Sequence, residues 1–231
     1  METLRAGKWI PLEVLWSSEV LAVELREELK TLLSKERVDS TDVPPEELQR
    51  HCGSGEHQGL MAKMPVYPYA DGEEALSTLD LRQNILILCG LQDPFNFGSI
   101  LRSADLFGIK TIVVPDVGQA AVSSHVVRSS VGAVNYLDVV QVDDLTDYCG
   151  RLRRIGFKLF AATERGQVSP SAVDMKAGVA LLIGNEGTGM SETLLDICDQ
   201  QVAIPQTGHV GSLNAAVAAG ILCYEMKRQQ T

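Results

Sequence analysis

Leu181-Leu182-Ile183-Gly184-Asn185-Glu186-Gly187-Thr188-Gly189-Met190 decides how this chain folds. Its apolar opening has the length and composition of a strand buried on both faces. The glycines that follow let the backbone turn sharply and approach a ligand closely. Open α/β sheets bind their ligands at the carboxyl ends of strands. The pattern then recurs: residues 202–205 form a second short strand ending, with Gly208 and Gly211 in the loop after it. Ser212 precedes a helix over 213–226, argued by Ala215, Ala216, Ala218, Leu222 and Met226. Two strand exits so near in sequence predict one pocket.

Working outward, Asn84-Ile85-Leu86-Ile87-Leu88-Cys89-Gly90 is another strand buried on both faces. Residues 91–98 supply its exit loop, and 99–107 read as a helix stopped by Gly108. Further strands are expected at 111–114, 137–140, 157–162 and 179–183, with helices at 122–130 and 145–155. This alternation implies an α/β domain with a mostly parallel sheet and helices on both faces. Before it, residues 1–68 read as a small α/β unit. A strand at 12–16 leads to a helix at 19–33 with Leu21, Leu25, Leu29 and Leu32 on one stripe. An extended piece at 38–43, a short helix at 46–51 opened by Pro44 and Pro45, and an apolar run at 60–64 follow. Pro65, Pro68, Asp71 and Gly72 mark a turn-rich linker, so the expected division is 1–68, a linker at 69–82, and 83–231.

A net charge of −10 argues against a nonspecific nucleic-acid binder, which needs a basic surface. The acidity is uneven: residues 1–82 carry 9 basic and 16 acidic side chains, residues 83–231 carry 11 and 14. A local basic face on the larger part therefore remains open. Arg151, Arg153, Arg154 and Lys158 form the dense basic cluster, which also reads as a solvated helix face. The five cysteines are scattered without a Cys-x-x-Cys pair, and His57, His125 and His209 are not at metal-ligand spacing. Neither disulfides nor a metal site is expected. With no run of 18 apolar residues and no basic-then-apolar start, the expectation is a soluble cytoplasmic protein with no membrane partner.

Asn96 lies in the expected loop after the strand at 84–90, with Arg102 about two helical turns behind it. Taken singly, Asn96 also reads as a helix cap or Asx turn, and Arg102 as a partner for Asp105. Together they point toward the sheet end that carries the glycine loops.

These residues resemble a known family. Asp93-Pro94-x-Asn96-x-Gly98-x-x-x-Arg102-x-Ala104-x-x-Phe107-Gly108 resembles the first motif of the SpoU (TrmH-like) ribose 2′-O-methyltransferases of the SPOUT superfamily. Gly184-Asn185-Glu186-Gly187-x-Gly189 resembles the second. Ile204-Pro205-x-x-Gly208-x-Val210-x-Ser212-Leu213-Asn214, followed by Ala218-Ala219, resembles the third. Val127-Arg128-x-Ser130-x-Gly132-Ala133 looks like the family segment between the first two. The resemblance spans residues 84–226. More weakly, residues 12–64 are similar to the small substrate-binding domain, itself like an RNA-binding ribosomal protein, that precedes the methyltransferase domain in several members. The helix expected before its first strand is missing or truncated here.

The resemblance implies S-adenosylmethionine as methyl donor, structured RNA as substrate (ribosomal before transfer RNA), a C-terminal trefoil knot and a homodimer whose sites are completed across the interface. Carried over residue by residue, Gly184, Ile204 and Leu213 match donor-binding positions. Asn185 and Gly187 lie in the same loop, and Thr163, after a strand, lines the pocket. Asn96, Arg102, Glu186, Ser212 and Asn214 match the catalytic constellation. A guanidinium stays protonated, with a pKa above about 12, so Arg102 is read as gripping a phosphate and orienting the hydroxyl. Glu186 would anchor Arg102 or the loop, and Asn96 and Asn214 would bond to substrate or loop backbone. Taken alone, Glu186 is a surface carboxylate and Ser212 a helix cap. Two other classes stand as alternatives: a nucleotide-dependent oxidoreductase, which lacks a Gly-x-Gly-x-x-Gly after the first strong strand, and a noncatalytic RNA-binding scaffold.

Overall fold

Three strands and three helices make the first unit, Met1–Pro68, of a computed structural model that describes residues 1–53, 57–209 and 211–231. In chain order these are α1 (Glu2–Ala6), β1 (Glu13–Trp16), α2 (Val23–Glu36), β2 (Asp39–Asp42), α3 (Pro45–Cys52) and β3 (Leu60–Lys63). β1 is central, parallel to β2 and antiparallel to β3. Its alternate residues Val14 and Trp16 join Leu4, Leu21, Leu29 and Leu33 in the core. A one-turn helix, α1, thus stands where the resemblance left the helix missing or truncated. α2 starts at Val23 and not at 19, because the Leu21 amide donates to the Ser17 carbonyl in a turn first. His57-Gln58-Gly59 makes the tight turn into β3. Gln58 and Gly59 both take left-handed φ values of 51° and 79°, and a Cβ on Gly59 would lie 3.0 Å from Val20.

The second unit, Tyr69–Thr231, is built on one sheet. Its elements are β4 (Ala70–Asp71), α4 (Gly72–Thr78), β5 (Ile85–Cys89), α5 (Pro94–Leu106), β6 (Thr111–Pro115), α6 (Ser124–Ser129), β7 (Asp138–Val142), α7 (Leu145–Arg154), β8 (Lys158–Ala162), β9 (Val179–Gly184), α8 (Glu192–Asp196), β10 (Gln200–Val202) and α9 (Ala215–Gln230). The strand order is β10-β8-β9-β5-β6-β7-β4, and every pairing is parallel. Ile85, Ile87, Val113, Val140, Leu159, Ala180 and Leu182 pack with Tyr148, Cys149 and Leu152 of α7. The intervening residues Leu86, Leu88, Ile112 and Leu181 are as fully buried and point to the opposite face. Helix α9 packs on α5 and β9, burying Leu222, Cys223 and Met226. The α/β architecture with a mostly parallel sheet and helices is therefore as expected.

Three boundaries differ. The stretch 69–82, expected as a linker, contributes edge strand β4, paired to β7, and helix α4, whose N-terminus Asp71 caps through Glu73 and Glu74 amides at 2.9 and 3.0 Å. Helix α5 begins at Pro94, five residues earlier than the glycine-rich reading allowed. Asp93 accepts from the Phe95 amide at 2.9 Å and Pro94 fits the first helical position. Helix α9 begins at Ala215, capped by Asn214 and not by Ser212. Among the described residues no helix is long and apolar enough to cross a membrane.

Candidate active site

A parallel sheet sends all its strands out at one edge, so the neighbours β10, β8, β9 and β5 deliver Val202, Ala162, Gly184 and Cys89 side by side, roughly 4.8 Å apart per strand. The loops at this edge hold most of the predicted residues.

The loop after β9 is shaped by Asn185. Its side-chain amide donates to the Gly90 carbonyl at the exit of β5. Its Oδ1 accepts from the Gly187 and Thr188 amides at 2.8 and 3.2 Å. Its backbone exchanges two 3.0 Å hydrogen bonds with Gly189. That closure requires Gly184, since a Cβ there would stand 3.0 Å from the Gly189 carbonyl carbon. Gly189 takes a left-handed φ of 69°, whereas Gly208 has neither a positive φ nor, among the described residues, a crowding neighbour. Glycine chemistry thus governs the first loop.

Three motifs meet at one point. Asn96, half-buried in the first turn of α5 and not in a loop, donates through Nδ2 to Glu186 Oε1 at 2.9 Å and accepts from Asn214 Nδ2 at 3.0 Å. Asn214 in turn uses Oδ1 to cap α9, accepting from the Ala216 and Val217 amides at 2.9 and 3.2 Å. Glu186 is therefore tied to Asn96 rather than to Arg102. Arg102 lies on the outward side of α5, ~9 Å along the axis from Asn96. It is exposed and has no hydrogen bond or ion pair with any described residue. Asp105, its alternative partner, binds Lys110 at 2.6 Å instead. Ser212 is exposed and joins no hydrogen bond among the described residues.

Thr163 follows β8 directly, donating its amide to the Val202 carbonyl at 3.0 Å while its hydroxyl accepts from the Arg165 amide at 3.2 Å. The hydroxyl proton stays available. Ile204 and Leu213 bracket a segment in which no described residue makes a backbone hydrogen bond to another described residue. Val210, quoted with the third motif, lies outside the described residues. Unpaired backbone of this kind must find partners in water or a ligand. The basic cluster is neutralised: Arg151 pairs with Glu73, Arg153 with Asp199, Arg154 with Asp147 and Lys158 with Asp174. Among the described residues no group of three His, Cys, Asp or Glu side chains is placed to hold a metal.

Sequence reasoning quoted Gly98 in the first motif without its packing role, and missed Gln119. A Cβ on Gly98 would lie 1.9 Å from Ser129 Oγ and 2.7 Å from the Val126 carbonyl, so its absence lets α6 dock against α5. Gln119 accepts from the Leu91 amide at 2.9 Å, bracing the exit of β5. The first was readable as a small residue inside a helical pattern; the second had no local signal.

Residues 83–224 match the family model described as the SpoU rRNA Methylase family. A Staphylococcus epidermidis relative, named for TrmH family tRNA/rRNA methyltransferases, is 35% identical over 212 residues, 90% of this chain and 84% of its own. The SpoU methyltransferase AviRb of Streptomyces viridochromogenes, solved in complex with AdoMet, superposes with a TM-score of 0.83 at 29% identity, covering 99% of this chain and 86% of that one. A solved RNA 2′-O ribose methyltransferase superposes at 0.77 with 26% identity over 99% and 84% of the two chains.

Proposed function

The chain belongs to the SpoU rRNA methylase family, and on that premise we propose that it transfers the methyl group of S-adenosylmethionine to a ribose 2′-hydroxyl in structured RNA, ribosomal RNA before transfer RNA. The observation that carries this reading is the Asn214–Asn96–Glu186 hydrogen-bonded chain, which gathers three separate motifs at the edge where strands β5, β8, β9 and β10 end. The solved 2′-O ribose methyltransferase among the similar structures supports ribose over base.

The residues fit the donor. The unpaired backbone between Ile204 and Leu213, the Thr163 hydroxyl and the open loop at Gly184–Gly187 offer donors and acceptors for a nucleoside edge. When bound, S-adenosylmethionine supplies an electrophilic methyl on a sulfonium. The chain's task is then to hold a ribose hydroxyl in line, and such orientation is worth up to about 7–11 kcal/mol. Asn96 is fixed from both sides, so its position is preset. Glu186 has a second carboxylate oxygen with no partner among the described residues, able to accept from substrate. Arg102, unpaired and exposed, grips the phosphate beside the target nucleotide.

The same reading includes the knot, formed by the C-terminal segment ahead of α9, a cytoplasmic location, and a homodimer. The dimer is supported by the outward faces of α5 and α9, where Leu106, Val217, Ile221 and Tyr224 are 70, 50, 41 and 54% exposed. Exposed apolar side chains of this kind mark an interface. The small unit 1–68 is assigned to substrate binding.

Mapping 2′-O-methyl positions in RNA from cells with and without the gene tests the assignment. One or more ribose positions should lose methylation. Arg102→Ala should abolish transfer while leaving donor binding intact, and near-normal turnover in that variant rejects the role given to Arg102.

A further inference from the structure

We infer that Phe95 and His125 form a stacking platform for an unpaired nucleobase of the RNA substrate, beside the nucleotide whose ribose is presented to Asn96. The inference rests on the RNA methyltransferase reading above and extends it to substrate recognition.

The two side chains come from different helices. Their rings lie 5.5 Å apart, edge to face at 68°. Phe95 is 57% exposed, a large apolar surface left in water at the first turn of α5, and His125 is exposed in the first turn of α6. Both helices follow strands of a parallel sheet, β5 and β6, so both begin at the sheet edge where Asn96, Glu186 and Asn214 meet. Phe95 adjoins Asn96 in sequence, but the helical turn aims the two side chains ~100° apart. Asn96 faces α9 and Glu186; Phe95 faces α6 and solvent.

The pairing depends on close docking of the helices. Gly98 has no side chain where Ser129 and Val126 of α6 press against α5. Ser129 Oγ donates to the His125 carbonyl at 2.8 Å and reaches the Pro94 carbonyl at 3.3 Å, tying the starts of both helices. Between helix starts tied in this way, the phenyl meets His125 edge to face and remains 57% exposed.

RNA chemistry suits that surface. Sequence-specific RNA recognition targets loops, bulges and single strands, whose unstacked bases are received on aromatic side chains such as Phe and His. Arg102 stands seven residues beyond Phe95, two turns along the same exposed side of α5 and ~10 Å away. A base on Phe95 and a phosphate on Arg102 are thus served by one helix face.

The test uses the full-length protein, S-adenosylmethionine and total RNA from cells lacking the gene, with methyl transfer measured against RNA concentration. Phe95→Ala should raise KM for RNA by about tenfold or more, the range for losing one stacked base. Donor affinity and oligomeric state should be unchanged. Phe95→Tyr, which keeps the π-face, should restore KM, and Phe95→Leu, which keeps only apolar bulk, should not. His125→Ala should raise KM less, and little further in combination with Phe95→Ala. An unchanged KM in Phe95→Ala, rescue by Leu as good as by Tyr, or dissociation into monomers overturns the platform while wild-type methylation stands. A wild-type protein that methylates no RNA overturns the platform and the parent reading together.

Discussion

Asn96 donates its side-chain amide to the Glu186 carboxylate at 2.9 Å, across 90 positions of chain. With Asn214 on its other side, Asn96 uses its donor toward one motif and its acceptor toward another. Ionised aspartate, of the same shape, offers only acceptors.

Asn96→Asp is therefore the sharpest probe of the arrangement. It removes the donor, places a second carboxylate against Glu186, and keeps the acceptor toward Asn214. Turnover should fall at least about 100-fold, as for loss of a positioned hydrogen-bond donor. Stability should fall by only about 1 kcal/mol, because the site is partly exposed. Methyl transfer and urea denaturation on the same preparation separate the two effects.

Gly98→Ala should destabilise the larger unit by about 1–3 kcal/mol, the usual cost of overpacking, since its Cβ would meet Ser129 Oγ at 1.9 Å. Adding Ser129→Ala should recover only part of this, because the Val126 carbonyl remains 2.7 Å from the new methyl. Full recovery in a thermal or urea melt contradicts the backbone clash.

Gly184→Ala should weaken donor binding about tenfold or more, with a smaller effect on global stability. The added methyl opposes the loop closure at Gly189, where contact would be 3.0 Å. Calorimetric titration with S-adenosylmethionine reads the first quantity and a melt the second. Unaltered affinity removes the β9 loop from the donor site.

In the native protein, Cys52 should react with a thiol reagent at mildly alkaline pH, while Cys89, Cys149, Cys198 and Cys223 wait for unfolding. Burial disfavours the thiolate and pushes Cys149, Cys198 and Cys223 up to about 12, with Cys89 raised in the same direction. Cys52 is exposed. Only the thiolate attacks such reagents, so the rate contrast should persist until the pH nears denaturing values. Rapid modification of more than one thiol in the folded protein contradicts this burial.

Much of the larger unit was legible because its strands announce themselves. Ile85–Cys89 and Val179–Gly184 are apolar throughout, as doubly buried parallel strands must be. The start of α5 was misread because Asn96 and Gly98 look like loop residues, yet Asp93-Pro94 is a cap followed by a first-turn proline, a signal present in the sequence. The two-residue strand β4 had no such signal, since its place comes from pairing with β7. At the site, the motifs named Asn96, Glu186 and Asn214 but not their mutual bonding, because contacts spanning 90 and 118 positions leave no local period. Phe95 with His125 was hidden for the same reason.

The placement of β9 also governs how this molecule comes into being. It lies between β5 and β8 although it follows β8 in sequence. During synthesis β8 emerges with no neighbour to join: its partners are β9 and β10, both still to come. The pairing of β5 with β9, Ile85 against Ala180, is the distant one, and such pairings are entropically slow to close. A nascent chain that stalls before residue 179 leaves an apolar edge of β5 bare until Val179–Gly184 is made to cover it.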